Sequence, residues 1–456
     1  MRKKYHYKDG VPAESQELFK RKKSEMSDAE RVSLLQAKLY QKAKQERNYK
    51  FYVLYDKMFV KHLMREAYKR VKRNNGATGV DGLSIADIEA YGVDKYLSEL
   101  GGELRRQDYR PQAVKRVMIP KANGGERPLG IPTMRDRIAQ TICMLILEPI
   151  FEADFEDSSH GFRPNRSSKE AIAEIKSHLQ SGKTEVYDAD LSAYFDTIPH
   201  NKLMKALQER ISDPRMLKLI MKWLKAPIYS DGELKGGKKN KVGTPQGGVI
   251  SPLLANIYMH QIDRIVNRIG SIFHRYGVKI VRYADDFVLM GRQIPREVTG
   301  KLNSLLKRMD LVLNEDKTCQ IDARRANFKF LGFTFRYDRD IYRSNKRYWN
   351  IVPNKQSEKK LRGKINDYLK SHGHCNANTV VSDLNSMLRG WLNYYEIKGV
   401  SYTSMSKRAL RFYLSTRLYR YYNRKSQRKC KLYGQDAFGT LVQHYGLIDP
   451  TKYAVR

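Results

Sequence analysis

Two adjacent aspartates interrupt a stretch of strand-forming residues in the second half of the chain. Val281, Tyr283 and Phe287 occupy alternate positions, as in a half-buried strand, whereas Asp285 and Asp286 suit a tight turn. A turn that directs two carboxylates into a cleft is most simply explained by a divalent cation, because like charges repel and magnesium prefers oxygen ligands. The alternative is a solvated Asp-Asp turn, which is common in proteins. The pattern therefore predicts a β-hairpin whose tip either binds metal or lies free in solvent.

A second acidic site lies 95 residues upstream of Asp285, at the end of another predicted strand. Residues 184–191 have strand character, and Asp190 precedes the aromatic residues Tyr194 and Phe195. Asp190 could therefore approach Asp285 across a sheet. Two such sites would supply the carboxylates for two-metal phosphoryl transfer, in which cations about 4 Å apart activate the attacking hydroxyl and stabilise the leaving oxygen.

The charge of the chain indicates a polyanionic partner. Its 456 residues include 86 Lys or Arg and 49 Asp or Glu, a net charge of +37, with 30 Tyr and 15 Phe that could stack on bases. We therefore expect nucleic acid as the partner. The sequence has no apolar run of about 18 residues and no apolar core of a secretory signal, so we expect no membrane association and a cytosolic location. The four cysteines have no paired spacing and predict reduced thiols.

The order of the predicted elements indicates an α+β chain. Residues 1–50, with 14 Lys or Arg and 7 acids, predict a basic helical extension, for which ordering on a partner is one outcome. Residues 113–131 predict a β-hairpin with Lys121 and Arg127 on or near its tip. Strands and helices alternate through the middle of the chain, and the pattern is helical from residue 355 onward.

The segment 243–252 contains several glycines and prolines and leads into a predicted helix over residues 253–262. Glycines allow a close backbone approach to a ligand, and helix N-termini attract phosphate, so a loop that faces the substrate is one interpretation. A plain helix-entry turn is the other.

Several of these segments resemble the motifs of reverse transcriptases, in the order and spacing of that family. The matching residues are Tyr283 to Asp286, Asp190 with Tyr194 and Phe195, Thr244 to Gly247, and His160 to Pro164. Three further segments resemble proteins encoded by bacterial group II introns in particular, namely Arg127 to Pro132, Ser251 to Asn256 and Leu388 to Tyr395. The resemblance covers about residues 56–425.

The resemblance implies a right-hand polymerase of the α+β class, with fingers, a palm built from an antiparallel sheet plus helices, and a helical thumb. The implied division, after the basic extension at residues 1–50, is fingers 51–185, palm 186–345, thumb or maturase region 346–425, and a basic C-terminal tail 426–456.

The resemblance also implies a catalytic centre. Asp190 and Asp285 are expected to bind two Mg²⁺ ions, for which Mn²⁺ could substitute, while the backbone carbonyl of Leu191 contributes and Asp286 assists. This assignment agrees with the independent argument from charge.

Five residues match positions that contact the incoming nucleotide in the family. Lys121 and Arg127 would clamp the triphosphate, although a solvated surface pair is the alternative; Gln246 would contact the nucleotide. Phe195 would stack beneath the sugar and exclude a 2′-hydroxyl, unless it is simply a core residue. Lys317 would protonate the leaving pyrophosphate.

A further set of residues is expected to contact primer, template or other RNA. Gly332 falls in a segment that resembles the primer-gripping hairpin, which a core strand would also resemble. The cations and tyrosines from Lys407 to Lys429 are expected to form the RNA-facing surface of the thumb. The individual arginines predicted to contact nucleic acid are Arg163, Arg166, Arg411, Arg417, Arg420 and Arg424.

The resemblance implies an RNA-directed DNA polymerase that also acts as an intron maturase. Its partners would be dNTPs, an RNA template such as the parent group II intron RNA, and a DNA primer or target DNA in the bacterial cytosol or nucleoid. One alternative is a domesticated relative in phage defence, DNA repair or CRISPR spacer acquisition; another is a splicing factor that binds RNA without polymerising. Only 26 residues follow Cys430 and none is Cys, so we expect no HNH endonuclease domain. The oligomeric state stays open.

Overall fold

The computed structural model describes residues 7–8, 11–12, 25–120, 125–230, 232–237, 240–340, 346–424 and 430–454. Its strands are β1 Tyr7–Lys8, β2 Val11–Pro12, β3 Val114–Pro120, β4 Glu126–Ile131, β5 Glu185–Ala189, β6 Pro227–Ser230, β7 Glu233–Gly236, β8 Lys279–Tyr283, β9 Asp286–Gly291, β10 Cys319–Asp322, β11 Phe328–Phe330, β12 Phe333–Arg339 and β13 Arg347–Pro353.

The helices account for most of the remaining described chain. They are α1 Asp28–Gln45, α2 Lys61–Asn74, α3 Ile85–Tyr91, α4 Val93–Arg106, α5 Met134–Glu152, α6 Ser168–Gln180, α7 Tyr194–Thr197, α8 His200–Gln208, α9 Pro214–Leu224, α10 Ser251–Asn267, α11 Ile272–Arg275, α12 Arg296–Arg308, α13 Lys355–Ser371, α14 Ala377–Tyr395, α15 Ser404–Arg424 and α16 Ala437–Tyr445. The chain therefore has the predicted α+β character. Among the described residues, no helix is long and apolar enough to cross a membrane.

The chain forms two compact units. The first contains residues 1–167, 188–289 and 294–319, and the second contains residues 168–187, 290–293 and 320–456. The predicted division into fingers, palm and thumb stays a prediction.

The first unit contains a four-stranded sheet with the order β4-β3-β6-β7. β3 and β4 form the predicted antiparallel hairpin, in which Ile119 lies opposite Arg127, and β3 pairs in parallel with β6. The tip of this hairpin, including Lys121, falls outside the described residues. The hairpin prediction is therefore confirmed, but the position of Lys121 is not tested.

A second four-stranded sheet carries the acidic residues and has the order β10-β5-β9-β8. β8 and β9 are separated by only two residues, Ala284 and Asp285, so they form the hairpin that the alternation of apolar residues predicts. β5, which ends one residue before Asp190, lies beside β9. This adjacency confirms that the two acidic segments approach each other across a sheet.

Helix α1 belongs to the basic extension and packs within the chain, so this part needs no partner to become ordered. Its apolar side is buried, including Val32, Leu39 and Ala43. Gln36 Nε2 donates a 3.0 Å hydrogen bond to the carbonyl of Leu145 in α5. That carbonyl needs a donor because Pro149, four residues later in the same helix, has no N–H. The structure thus assigns a role to a segment whose function the sequence left open.

The second unit combines a three-stranded antiparallel sheet, β11-β12-β13, with helices α13 to α16. The helices bury one apolar cluster, whose fully buried members include Ile365, Leu384, Leu388, Leu414 and Leu441. Within α14, Leu384, Leu388 and Leu392 are buried at helical spacing, and within α15, Leu410, Leu414 and Leu418 are, so each of these helices buries one face.

Candidate active site

The acidic turn has an unusual backbone. Ala284 has a φ of 60°, a left-handed conformation that residues other than glycine rarely adopt. A Cβ built at Gly161 would collide with the backbone nitrogen of Ala284, so only glycine fits at position 161. Asp285, which follows Ala284, is partly buried; Asp286 at the start of β9 is more accessible to solvent, although the surrounding protein removes part of the hydration of its carboxylate. The turn therefore presents its two carboxylates in different surroundings.

Asp190 follows β5, the neighbour of β9 in the sheet, and is fixed by backbone contacts with residues 313 and 314. The carbonyl of Asp190 accepts a 2.8 Å hydrogen bond from the N–H of Asn314, and Leu191 forms an isolated β-bridge with Leu313. The charge of Asp190 raises the pKa values of both Asp285 and Asp286. The two acidic segments are thus within electrostatic reach of each other in the folded chain.

The cleft accumulates negative charge. Loss of hydration raises the pKa of Asp285, and raises that of Asp286 to about 7 with a further contribution from the charges of Asp285, Asp190 and Asp188. Loss of hydration, followed by the charge of Asp190, raises the pKa of Asp188 to about 6. A bound cation would offset the repulsion between these carboxylates and so favour their ionised forms.

Lys317 supplies one positive charge to the cleft. Its Nζ lies 3.1 Å from Asp190 Oδ2, and its charge lowers the pKa of Asp286. The sequence predicted that Lys317 acts at this centre, and the structure brings it to the acids. Its role in proton transfer stays a prediction.

The donor set predicted for metal consists of oxygen atoms only, which suits a hard divalent cation. It comprises the carboxylates of Asp190 and Asp285 and the carbonyl of Leu191, whose side chain is buried. In the described part of the chain, no three or more His, Cys, Asp or Glu side chains are arranged to hold a metal ion. Two carboxylates and one backbone carbonyl would leave the other positions around such a cation to water or substrate oxygens.

The loop before α10 lies against the β3–β4 hairpin and α7. The N–H of Gly130 in β4 donates a 2.5 Å hydrogen bond to the carbonyl of Gln246, and the N–H of Thr244 donates a 2.7 Å bond to the carbonyl of Phe195. Gly247 has a φ of 106°, and a Cβ there would collide with the carbonyl oxygen of Gly130. The loop is thus fixed on two sides, more than a plain helix-entry turn requires.

Gln140, which the sequence did not single out, also holds this loop. It lies in α5 and is 6% exposed, and its Oε1 accepts a 2.9 Å hydrogen bond from the N–H of Val249. Nothing in the local sequence distinguishes Gln140 from other polar helix residues, because its partner is 109 residues away.

Phe195 is half-buried and is not part of the apolar core. Its ring makes an edge contact with Tyr194, with 5.5 Å between ring centroids, and Tyr194 is anchored by a 2.7 Å hydrogen bond from its Oη to the carbonyl of Ala255. Because the ring of Phe195 is only half-buried, it is accessible for contact with a sugar. Its role in sugar selection stays a prediction.

Two of the arginines predicted to contact nucleic acid have partners within the chain. The Arg163 side chain is 2% exposed, its Nη2 lies 2.7 Å from Glu152 Oε1, and its Nη1 donates to the carbonyl of Ser159 at 2.6 Å. Arg163 therefore braces a loop inside the protein, and its prediction as a nucleic-acid contact is wrong for this structure. Arg166 is partly exposed but bonded to Asp157, so only part of its guanidinium is available. Arg127, by contrast, is exposed on β4, as predicted.

Gly332 lies in the turn between β11 and β12 with a φ of 80°. A Cβ there would lie 2.6 Å from Tyr395 Oη, and Tyr394 Oη donates a 3.0 Å hydrogen bond to the neighbouring carbonyl of Leu331. The hairpin is confirmed, while its contact with a primer stays a prediction.

The predicted RNA-facing arginines of α15 differ in their exposure to solvent and in their partners within the chain. Arg411, Arg420 and Arg424 are exposed, although Arg411 Nε lies 3.4 Å from Asp449 Oδ2, and Arg417 is half-buried and hydrogen-bonded to Asn366. Lys407, the first cation of the predicted surface, is buried instead. Its Nζ lies 2.7 Å from Glu396 Oε2. Because Lys407 is buried and paired within the chain, its charge does not face RNA as the sequence predicted. Residues 425–429 lie outside the described part of the chain.

Comparison with known proteins gives two family matches. Residues 119–335 match the model described as reverse transcriptase (RNA-dependent DNA polymerase), and residues 358–435 match the maturase-specific domain of group II introns. The first match contains the acidic turn, Asp190 and the Gln246 loop, and the second contains helices α14 and α15.

Individual relatives support both matches. Protein YkfC of Escherichia coli (strain K12) is 38% identical over 308 residues, which cover 59% of this chain and 79% of that protein. The group II intron-encoded protein LtrA of Lactococcus lactis is 38% identical over 46% of this chain and 34% of its own length. An uncharacterized 91 kDa protein in a cob intron of Schizosaccharomyces pombe is 35% identical over 53% of this chain and 30% of its own length. The chain thus spans about a third of the last two relatives.

Proposed function

Since this chain belongs to the group II intron-encoded reverse transcriptases, we propose that it is an RNA-directed DNA polymerase that extends a DNA primer on an RNA template. The observation that carries this proposal is the meeting of Asp190 with Asp285 and Asp286 at the end of one sheet. Loss of hydration and the charge of Asp190 both raise the pKa values of Asp285 and Asp286, which supports a cleft built for a cation.

The family depends on divalent metal, and the oxygen-only donor set here supports Mg²⁺. Two such ions would activate the primer 3′-hydroxyl and stabilise the leaving pyrophosphate. We assign Asp190, Asp285 and the carbonyl of Leu191 to holding them. Asp286, whose pKa is raised to about 7, assists by adding charge to the cleft when it is ionised.

The nucleotide site is assigned to residues around the Gln246 loop. Gln246 contacts the incoming dNTP from a loop that is bonded to both β4 and α7. Phe195, whose carbonyl anchors the same loop, faces the sugar and excludes a 2′-hydroxyl. Arg127 and Lys121 clamp the triphosphate from the fingers hairpin, and Lys317 donates a proton to pyrophosphate.

We further propose that the protein is a maturase that binds its parent intron RNA through α15. Residues 401–430 contain nine Lys or Arg and no acid. On α15 the Phe412 side chain is 75% exposed and Tyr419 is 50% exposed, and exposed Arg408, Arg411 and Arg420 lie on the same helix. Exposed aromatic rings beside cations favour RNA, because bases stack on the rings and phosphates pair with the charges.

Replacement of Asp285 by Asn tests the polymerase assignment. The purified full-length variant should lose magnesium-dependent extension of a DNA primer on an RNA template but retain RNA binding, because the RNA-facing helix lies elsewhere in the chain. Asp94→Asn is the matched control, since Asp94 is an exposed acid whose partner is Arg65. Full extension by the Asp285 variant would overturn the assignment, and splicing by an unchanged protein that never extends primers would favour a non-polymerising splicing factor.

A further inference from the structure

Arg282 is a fully buried cation directly beneath the acidic turn. It lies in β8, and the side chains of Arg282 and its partner Asp263 in α10 are both 0% exposed. Arg282 Nε donates to Asp263 Oδ1 at 2.9 Å, and Nη2 lies 2.5 Å from Oδ2. Burial of such a pair costs about as much free energy as its attraction returns, so stability alone is a weak reason for its presence.

The remaining branch of the guanidinium is directed at the turn itself. Arg282 Nη1 donates to the carbonyl oxygen of Ala284 at 2.7 Å and to Asn256 Oδ1 at 2.9 Å. Ala284 is the residue with left-handed backbone that directly precedes Asp285. One planar fork therefore connects the strained turn to two side chains of α10, an arrangement that the shorter donor reach of lysine cannot reproduce.

Asn256 extends this connection to a third segment. Its Nδ2 donates to the carbonyl of Gly161 at 2.8 Å, and the N–H of His160 donates to the carbonyl of Arg282 at 2.8 Å. Gly161 also lies too close to the nitrogen of Ala284 to tolerate a Cβ. The turn thus packs against segments that are distant in sequence. The bond from Arg282 and the close approach of Gly161 restrict the conformation of Ala284 directly, and Asn256 holds both of these residues in place.

We propose that Arg282 is a positioning residue that sets the direction of Asp285 toward Asp190 and thereby the affinity of the site for a divalent cation. The proposal rests on the proposed function for the identity of the site. Without the bond from Arg282 Nη1, Ala284 can leave its left-handed conformation, which costs free energy for a residue with a Cβ. The carboxylate of Asp285 then turns away from Asp190, and the cation loses a ligand.

The test compares the double variant Arg282→Met/Asp263→Leu with the unchanged full-length protein. Removal of both charges avoids an unpaired buried ion, so the variant should unfold at a urea concentration close to that of the unchanged protein. Its affinity for Mn²⁺, measured by electron paramagnetic resonance, should fall by about tenfold or more, as when a residue that orients a metal ligand is lost. The half-saturating Mg²⁺ concentration for primer extension should rise in parallel, with little change in KM for dNTP.

Two single variants separate a loss of metal binding from a loss of folding. Arg282→Lys retains a cation for Asp263 and should still lose Mn²⁺ affinity, which decides the question if the double variant does not fold. Arg210→Lys is the matched control, because Arg210 is another buried arginine, paired with Asp154 at 2.9 Å, and should leave Mn²⁺ binding unchanged.

Unchanged Mn²⁺ affinity in a folded Arg282 variant would overturn the proposal and leave Arg282 as a core residue. If the unchanged protein binds Mn²⁺ but never extends a primer, the proposed function fails, whereas the positioning role is still decided by the Mn²⁺ measurements.

Discussion

Lys317 Nζ lies 3.1 Å from Asp190 Oδ2, although 127 residues separate the two in sequence. The charge of the lysine lowers the pKa of Asp286, against the loss of hydration and the neighbouring carboxylates that raise it. A cation placed beside a predicted metal ligand is close enough to the chemistry to act as an acid, and its side chain is 60% exposed, so it remains free to reorient toward a substrate.

Replacement of Lys317 separates a role for its charge from a role for its proton. Lys317→Met should slow single-nucleotide incorporation at saturating dNTP by about a hundredfold, the usual contribution of a positioned general acid. Lys317→Arg keeps the charge but does not release a proton near neutral pH, so it should be slow as well. Rapid-quench measurement of the incorporation rate checks both. A normal rate for the Arg variant would show that only the charge matters, and the ion pair itself should contribute less than about 1 kcal/mol to stability because it is exposed to water.

The raised pKa of Asp286 predicts a pH-dependent stability in the absence of metal. The folded protein holds this proton up to a pKa of about 7, whereas the ordinary value is 3.8, so folding is favoured at low pH by this group. Its contribution is complete below about pH 4 and is lost as pH rises through 7. In EDTA, Asp286→Asn should therefore gain stability relative to the unchanged protein between pH 5 and pH 8.

Urea midpoints at the two pH values measure this difference. Saturating Mg²⁺ should reduce it, because a bound cation stabilises the ionised carboxylates. Asp94→Asn serves as the control, since Asp94 lies outside the acidic cleft. An equal pH slope for Asp286→Asn and the unchanged protein would contradict the electrostatic account.

The hydrogen bond from Gln36 to the Leu145 carbonyl predicts that replacements of Gln36 and Pro149 have non-additive effects on the free energy of unfolding. Gln36→Leu should lower the free energy of unfolding by about 1 kcal/mol, because the Leu145 carbonyl loses its donor. In a Pro149→Ala background the new N–H at position 149 can bond to that carbonyl, so the same replacement should cost less. A double-mutant cycle by urea unfolding measures the coupling. Strictly additive effects would show that Pro149 does not create the need for Gln36.

The proposed position of the Phe195 ring beneath the sugar predicts a preference for dNTP over rNTP. Phe195→Val should open space beneath the sugar and reduce the preference for dNTP over rNTP by about tenfold or more. Phe195→Tyr keeps an aromatic ring of similar width and should retain selectivity. The ratio of kcat/KM for the two sugars, measured with one base, checks both variants. Unchanged selectivity in the Val variant would limit Phe195 to anchoring Thr244 through its carbonyl.

Much of the site was predictable because its chemistry depends on residues that are close in sequence. The turn at Ala284 and Asp285, one residue from its predicted place, follows from the alternation of apolar residues on either side. The glycine-rich loop before α10 follows from the strand-breaking residues within it. These are local preferences of the backbone, and they survive in the fold.

The fate of individual cations was not predictable. Arg163 and Lys407 look like nucleic-acid contacts in the sequence, yet both are buried against Glu152 and Glu396. Arg282, in contrast, stands inside an apolar strand segment, and a lone cation at such a position signals a buried partner. The sequence does not identify that partner as Asp263.

The sequence by itself determined the family of the protein, its two acidic segments and its α+β character, because these depend on patterns of neighbouring residues. Only the tertiary structure decided which charges are exposed and which are neutralised inside, and that the segment of Asp190 lies beside the strand that follows Asp285. The physical reason is that burial, desolvation and pairing are properties of contacts between distant segments. The same side chain binds a phosphate or braces a loop according to what the fold places beside it.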